Sequence, residues 1–157
     1  MIYTDTTPVA FQDELPDSVD VVVIGGGVVG ISTAWSLASA GVSVLVCDKG
    51  RVAGEQSSRN WGWIRQQARD PDELPIVIDS LNRWSKLTEA VDEDIGFTRQ
   101  GVLYAAETQA QLDEFEKWLP NAQQYQLDTR MLTGKEVDEL VAGPPGQWLG
   151  GMAGGLN

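Results

Sequence analysis

Asp20-Val21-Val22-Val23-Ile24-Gly25-Gly26-Gly27-Val28-Val29-Gly30 is the stretch on which the reading of this chain turns. A β-branched run bounded by a polar residue and a glycine cluster predicts a strand buried on both faces of a parallel sheet. The small and apolar residues from Ile31 to Ala40 predict a helix packed closely on that sheet and ended by Gly41. Val42 to Cys47 is a second β-branched run, and it finishes at Asp48. Strand, glycine turn, helix, strand and acid in this order describe an α/β, Rossmann-like βαβ unit. In such a unit Gly25 permits the tight turn, Gly27 lets the backbone approach a pyrophosphate, and Gly30 lets helix and strand pack closely. The free N–H groups of the helix start, Val29 among the residues there, face the phosphate charge. Asp48 lies 23 residues after Gly25, at a strand tip where a carboxylate accepts hydrogen bonds from a ribose. The competing reading is a plain tight turn with Asp48 as a surface carboxylate.

Beyond Asp48, a nicotinamide-binding domain runs on through another helix and a third parallel strand. This chain instead enters a loop, residues 49–67, of small, amide and guanidinium side chains with two tryptophans, Trp61 and Trp63, which is a ligand-contacting composition. Charge concentrates there as well. Residues 1–48 hold six acids and no base, residues 49–69 hold Lys49, Arg51, Arg59, Arg65 and Arg69 against Glu55, and residues 70–157 hold six bases against sixteen acids. The cluster predicts a bound anion, set against a merely solvated loop.

The whole chain carries a formal net charge of −12, which disfavours nucleic acid and anionic lipid as partners. With 157 residues, 42% of them hydrophobic, it has room for one domain with a core, and two complete domains would be cramped. Its longest uncharged apolar run, Val21 to Ile31, is interrupted by Gly25, Gly26 and Gly27, so no transmembrane segment is expected. Met1 to Ala10 lacks a basic stretch followed by an apolar block, so the expected compartment is the cytoplasm. Histidine is absent and Cys47 is the single cysteine, which argues against an internal disulfide, a metal site and Ser-His chemistry.

Three segments, Val21 to Ala38, Val44 to Gly50 and Ser57-Ser58-Arg59-Asn60-Trp61-Gly62, together resemble the N-terminus of the FAD-dependent D-amino-acid oxidase and dehydrogenase family, which includes glycine and sarcosine oxidases. The resemblance implies a glutathione-reductase-like FAD domain with an α+β substrate domain inserted into it. It implies oxidation of a C–N bond in a small amine or amino acid by hydride transfer to flavin N5, hydrolysis of the imine in water, and reoxidation by oxygen, a quinone or a protein. Asp70-Pro71-Asp72-Glu73 reads as a helix start, followed by an apolar face of Leu74, Val77, Ile78, Leu81, Trp84, Leu87 and Val91. Phe97 to Ala106 resembles the first substrate-domain strand, Thr108 to Gln111 is a capping box, and Leu132 to Val137 is a third cap with a short helix. The expected organisation is an irregular arm over 1–18, the FAD-binding βαβ and flavin-contacting loop over 19–70, and a helix with the beginning of the substrate domain over 71–157.

In sarcosine-oxidase-like relatives a histidine after the paired serines carries the flavin covalently, whereas here Arg59 follows Ser57-Ser58 directly, so non-covalent FAD is implied. By their chemistry, Ser57, Ser58 and Asn60 are expected to hydrogen-bond phosphate or flavin heteroatoms, while Lys49 and Arg59 bring charge to the cofactor and the Arg59 fork suits the pyrophosphate. Arg65 is the candidate for a substrate carboxylate or the flavin N1 side, against an ordinary surface ion pair. The family's later parts have no counterpart, and Gly150 to Asn157 reads as a tail inside the substrate domain, so the chain is expected to be an incomplete, inactive N-terminal fragment. Two other readings remain at this point: a nucleotide-binding module without activity, and a flavin enzyme oxidising a hydroxy acid or glycerol phosphate.

Overall fold

The computed structural model describes residues 8–11 and 13–155. Of the arm expected over 1–18, residues 1–7 and 12 lie outside this range, and the remainder forms neither helix nor strand. The described chain divides into two units, one ending at Trp63 and the other beginning at Ile64, so the loop 49–67 is shared between them.

In the first unit, β1 (Val21–Ile24) pairs in parallel with β2 (Val44–Cys47), Val21 opposite Val44 and Ile24 opposite Cys47. The crossover helix α1 spans Val28–Ser39, three residues earlier than the apolar periodicity predicts. Gly30 therefore lies inside its first turn. The helix stops as expected: the N–H of Gly41, at φ +84°, donates to Ala38 O at 2.9 Å and that of Val42 to Leu37 O at 3.1 Å, a Schellman closure. The expectation of a strand buried on both faces is corrected. Val23 packs toward α1, but Val22 and Ile24 on the opposite face are 52% and 89% exposed, because two strands and one helix cover one face of a sheet only.

In the second unit, a single 3-10 turn over Pro71–Glu73 leads into α2 (Leu74–Ala90), with the Asp70 carboxylate accepting from Asp72 N–H at 2.9 Å. Leu74 is fully buried, and Trp84 stacks on Phe97. The strand expected over Phe97 to Ala106 is confined to β3 (Val102–Ala106). α3 (Gln109–Gln124) starts on the predicted Thr108/Gln111 box and α4 (Gly134–Leu140) on a Thr133/Glu136 box. Two further strands went unpredicted, β4 (Arg130–Thr133) and β5 (Gly150–Gly154). β5 is the central strand of an antiparallel β3-β5-β4 sheet, buried along its whole length. Leu156 and Asn157 lie outside the described residues. Leu132, Val137 and Ala153 form the core, with Leu103, Ala105, Val141 and Trp148 packed against it.

Candidate functional site

Within the first unit the turn 25–28 and the loop after β2 fold onto each other. Gly25 has φ +105°, a conformation that side-chain-bearing residues rarely adopt, and its N–H donates to Cys47 O at 2.7 Å, tying the turn to the tip of β2. A methyl at Gly30 would overlap the Gly25 carbonyl oxygen, so only glycine lets α1 begin so close to β1. Gly27 is the N-cap of α1 and has no side chain to satisfy the helix's first N–H groups. Ser57 does so from a distance. Its Oγ accepts from Val28 N–H at 2.8 Å, and a Cβ at Gly27 would approach that oxygen to 3.0 Å.

Asp48 is held by backbone on both sides: Gly26 N–H donates to Oδ2 at 2.7 Å and Gly50 N–H to Oδ1 at 2.8 Å. These two bonds, the Gly26 one first, keep its carboxyl below the ordinary carboxylate value, with the Lys49 charge adding to them against some desolvation. Gly26 was not singled out from the sequence, since the G-x-G-x-x-G spacing leaves it as an unspecified position. It is buried, its N–H binds Asp48, and its carbonyl accepts from Ala53 N–H at 2.8 Å. A side chain there would press on Asp48 Oδ2 and Val52 at 3.3 Å.

The structure thus brings together Gly25, Gly27, Gly30, Asp48 and Ser57, with Val29 in the exposed first turn of α1. The remaining loop candidates serve the loop itself. Ser58 Oγ donates to Glu55 O at 3.1 Å, Asn60 Nδ2 donates to Ser57 O, and Asn60 Oδ1 accepts from Gly62 N–H at 2.5 Å. Lys49 pairs with Glu55 at 3.5 Å, and Arg59, exposed, ends the short helical turn 56–58. Trp61 stands 91% exposed.

Arg65 belongs to the second unit. Its Nη1 donates to Gln67 O at 2.6 Å, and its guanidinium lies 5.8 Å from the centroid of the Tyr104 ring. Burial raises the Tyr104 phenol above its ordinary value, and the Arg65 charge opposes that shift.

The first-unit geometry fits a dinucleotide. Helix α1 begins on the side-chain-free Gly27 with the Ser57 hydroxyl at its Val28 N–H, and a carboxylate held by two backbone N–H groups stands at the tip of β2. In the described residues no helix is long and apolar enough to cross a membrane.

Comparison with known proteins bears on the same residues. The profile of the family described as FAD dependent oxidoreductase matches residues 20–156. Sarcosine oxidase subunit beta of Arthrobacter sp. is 34% identical over 125 residues, 78% of this chain and 31% of that protein. Among solved structures, L-amino acid deaminase from Proteus myxofaciens superposes with a TM-score of 0.82 at 30% identity, covering 98% of this chain and 34% of that one. Glycine oxidase from Bacillus cereus gives 0.76 at 26% identity, over 87% of this chain and 38% of that one. The chain therefore spans about a third of the length of each of these relatives. A βαβ unit with its glycine turn and terminal acid, continued into an α+β unit that the same relatives share, places this chain in the family of FAD-dependent oxidoreductases that includes sarcosine and glycine oxidases.

Proposed function

We propose that this chain is the FAD-holding part of an enzyme that oxidises the C–N bond of a small amine or amino acid. The observation that carries the proposal is the pair of hydrogen bonds from Gly26 N–H to Asp48 and from Val28 N–H to Ser57, which fix a carboxylate and a hydroxyl on the glycine turn. Asp48, ionised and oriented by two N–H donors, offers its remaining lone pairs to a ribose. The Val28 N–H and Ser57 hydroxyl lie where a pyrophosphate oxygen docks on a helix N-terminus. Arg59 neutralises phosphate charge from the loop, and Lys49 adds a second positive charge. Arg59 stands directly after Ser57-Ser58, where sarcosine-oxidase-like relatives carry the flavin-linking histidine, so this loop holds the cofactor non-covalently.

When bound, the flavin supplies a two-electron acceptor for the hydrogen on the amine-bearing carbon, after which water hydrolyses the imine. The protein's part is alignment and charge. Arg65, a guanidinium held on Gln67 O, binds the substrate carboxylate and so orients the adjacent carbon. Electrons leave to oxygen, a quinone or a protein acceptor.

The test is made on the longest polypeptide that carries this chain. Its absorption spectrum is expected to show flavin, acid precipitation is expected to leave the pellet colourless, and an anaerobic panel of amines, amino acids and hydroxy acids is expected to bleach the flavin with amino substrates. Yellow colour retained on the pellet would disprove non-covalent binding. Bleaching by hydroxy acids alone would disprove C–N oxidation.

A further inference from the structure

Gln67 poses a physical question. It is 3% exposed, the one side chain in the polar and charged class to be buried among the described residues, and burying an amide is unfavourable unless its polar atoms find partners. Its Nε2 donates to Thr129 Oγ1 at 3.3 Å, in the segment leading to β4. It also lies against Gly154 of β5, where a methyl would overlap the amide, so the side chain occupies a notch that only glycine leaves open. The side chain therefore roots its residue in the three-stranded sheet, away from its own loop.

The backbone of the same residue faces the candidate substrate arginine. Gln67 O accepts from Arg65 Nη1 at 2.6 Å and from Tyr104 Oη at 3.3 Å, while the guanidinium lies over the Tyr104 ring. Directly after it, Ala68 takes φ +55°, a left-handed conformation that is costly for alanine and persists where its surroundings enforce it. A backbone strained at 68 and anchored at 67 holds the intervening carbonyl in one direction.

We infer that Gln67 is a positioning residue. Its buried amide anchors the loop to Thr129 and Gly154, and its carbonyl, shared with the Tyr104 hydroxyl, sets where the Arg65 guanidinium stands. The inference rests on the reading of Arg65 as the carboxylate ligand. It adds that recognition of the carboxylate depends on side chains that never touch substrate.

The flavin-loaded enzyme carrying this chain is assayed with an amino acid and with the corresponding amine lacking the carboxylate, in Gln67→Met, Thr129→Val, Arg65→Ala and the Arg65→Ala/Gln67→Met double variant. Losing a neutral hydrogen-bonded anchor is expected to raise KM for the amino acid about tenfold in Gln67→Met and about threefold in Thr129→Val, with kcat and the kinetics of the amine unchanged. In the double variant Gln67→Met adds nothing to Arg65→Ala. Equal losses on both substrates, or an effect that adds fully to Arg65→Ala, would show a merely structural role and overturn the inference. If Arg65→Ala raises KM while neither Gln67→Met nor Thr129→Val does, the inference alone falls. If Arg65→Ala leaves KM for the amino acid unchanged, the reading of Arg65 falls and takes the inference with it. Should Gln67→Met fail to fold, Thr129→Val decides.

Discussion

Asp48 and Gly26, 22 residues apart in sequence, are joined by a 2.7 Å hydrogen bond from the glycine N–H to Oδ2, with the other carboxylate oxygen taken by Gly50 N–H. The acid at the end of β2 therefore has two functions. It closes the glycine turn, and it presents what remains of its lone pairs to solvent or ligand.

Asp48→Asn is expected to weaken FAD retention by about tenfold or more, since an amide nitrogen would meet one backbone N–H with a donor in place of an acceptor. Flavin content after gel filtration at graded FAD concentrations measures this. Retention equal to that of the unmodified protein would remove Asp48 from the cofactor site.

The glycines of the turn and of the helix end are expected to respond differently. Gly30→Ala drives a methyl into the Gly25 carbonyl oxygen, so loss of cooperative unfolding in the first unit together with loss of flavin is expected. Gly41→Ala meets open space but keeps φ +84°, and its cost is limited to about 1–2 kcal/mol of backbone strain, with flavin binding retained. Thermal melts and flavin absorbance separate the two cases, and similar behaviour of both variants would contradict the steric account.

Arg59→Ala and Arg65→Ala are expected to separate binding of cofactor from binding of substrate. The first weakens FAD affinity and the second raises KM for carboxylate-bearing substrates, each by about ten- to a hundredfold for a charge-assisted contact. Equal and negligible effects would return the basic cluster to the status of a solvated loop.

Glu136 offers a pH signature independent of any ligand. Thr133 N–H, then Arg130 at 2.9 Å and the Thr133 hydroxyl, lower its carboxyl from 4.5 to about 2. A depressed folded-state value means that its stabilisation is fully present above pH 4.5 and is lost as pH falls from there toward 2. Glu136→Gln is therefore expected to be less stable than the unmodified chain at neutral pH and to converge with it near pH 2, as read by denaturant midpoints. A constant difference across that range would show that ionisation of Glu136 is irrelevant.

The 157-residue chain expressed alone is expected not to oxidise amines. Val22 and Ile24 leave one face of its two-stranded parallel sheet bare, and such a sheet is marginal without further strands or cover. Dye reduction with amino substrates, flavin retention and binding of a hydrophobic fluorophore measure the outcome. A flavin-loaded chain with turnover and no exposed apolar surface would refute it.

Local chemistry made most of this legible. Strand β1, the Gly25–Gly30 turn and the Thr108 and Thr133 caps depend on residues within a few positions of each other, so their hydrogen-bonding and steric preferences are written in the order of the residues, and Asp48 was legible from its spacing of 23 residues after Gly25. The start of α1 was missed by three residues because Val28 to Gly30 reads as part of the glycine motif, whereas Ser57, 29 residues away, accepts the Val28 N–H and completes the cap.

Tertiary structure alone decided β5 and Gln67. Gly150-Gly151-Met152-Ala153-Gly154 has none of the β-branched or aromatic residues that mark a strand. It is one because β3 and β4 flank it so closely that a methyl at Gly150 or Gly151 would come within 2.6 Å of the carbonyl of Leu132 or Tyr104. Gln67, polar and in a loop by sequence, is buried because Gly154 leaves room for its amide and Thr129, 62 residues away, accepts from it. The amino-acid order by itself determined the glycine turn and the starts of α3 and α4, whose capping boxes are local matters of hydrogen bonding. Which strand lies at the centre of the second sheet, and which amide is buried beneath the arginine loop, depended on space left between segments far apart in the chain, and that space exists only once they have packed.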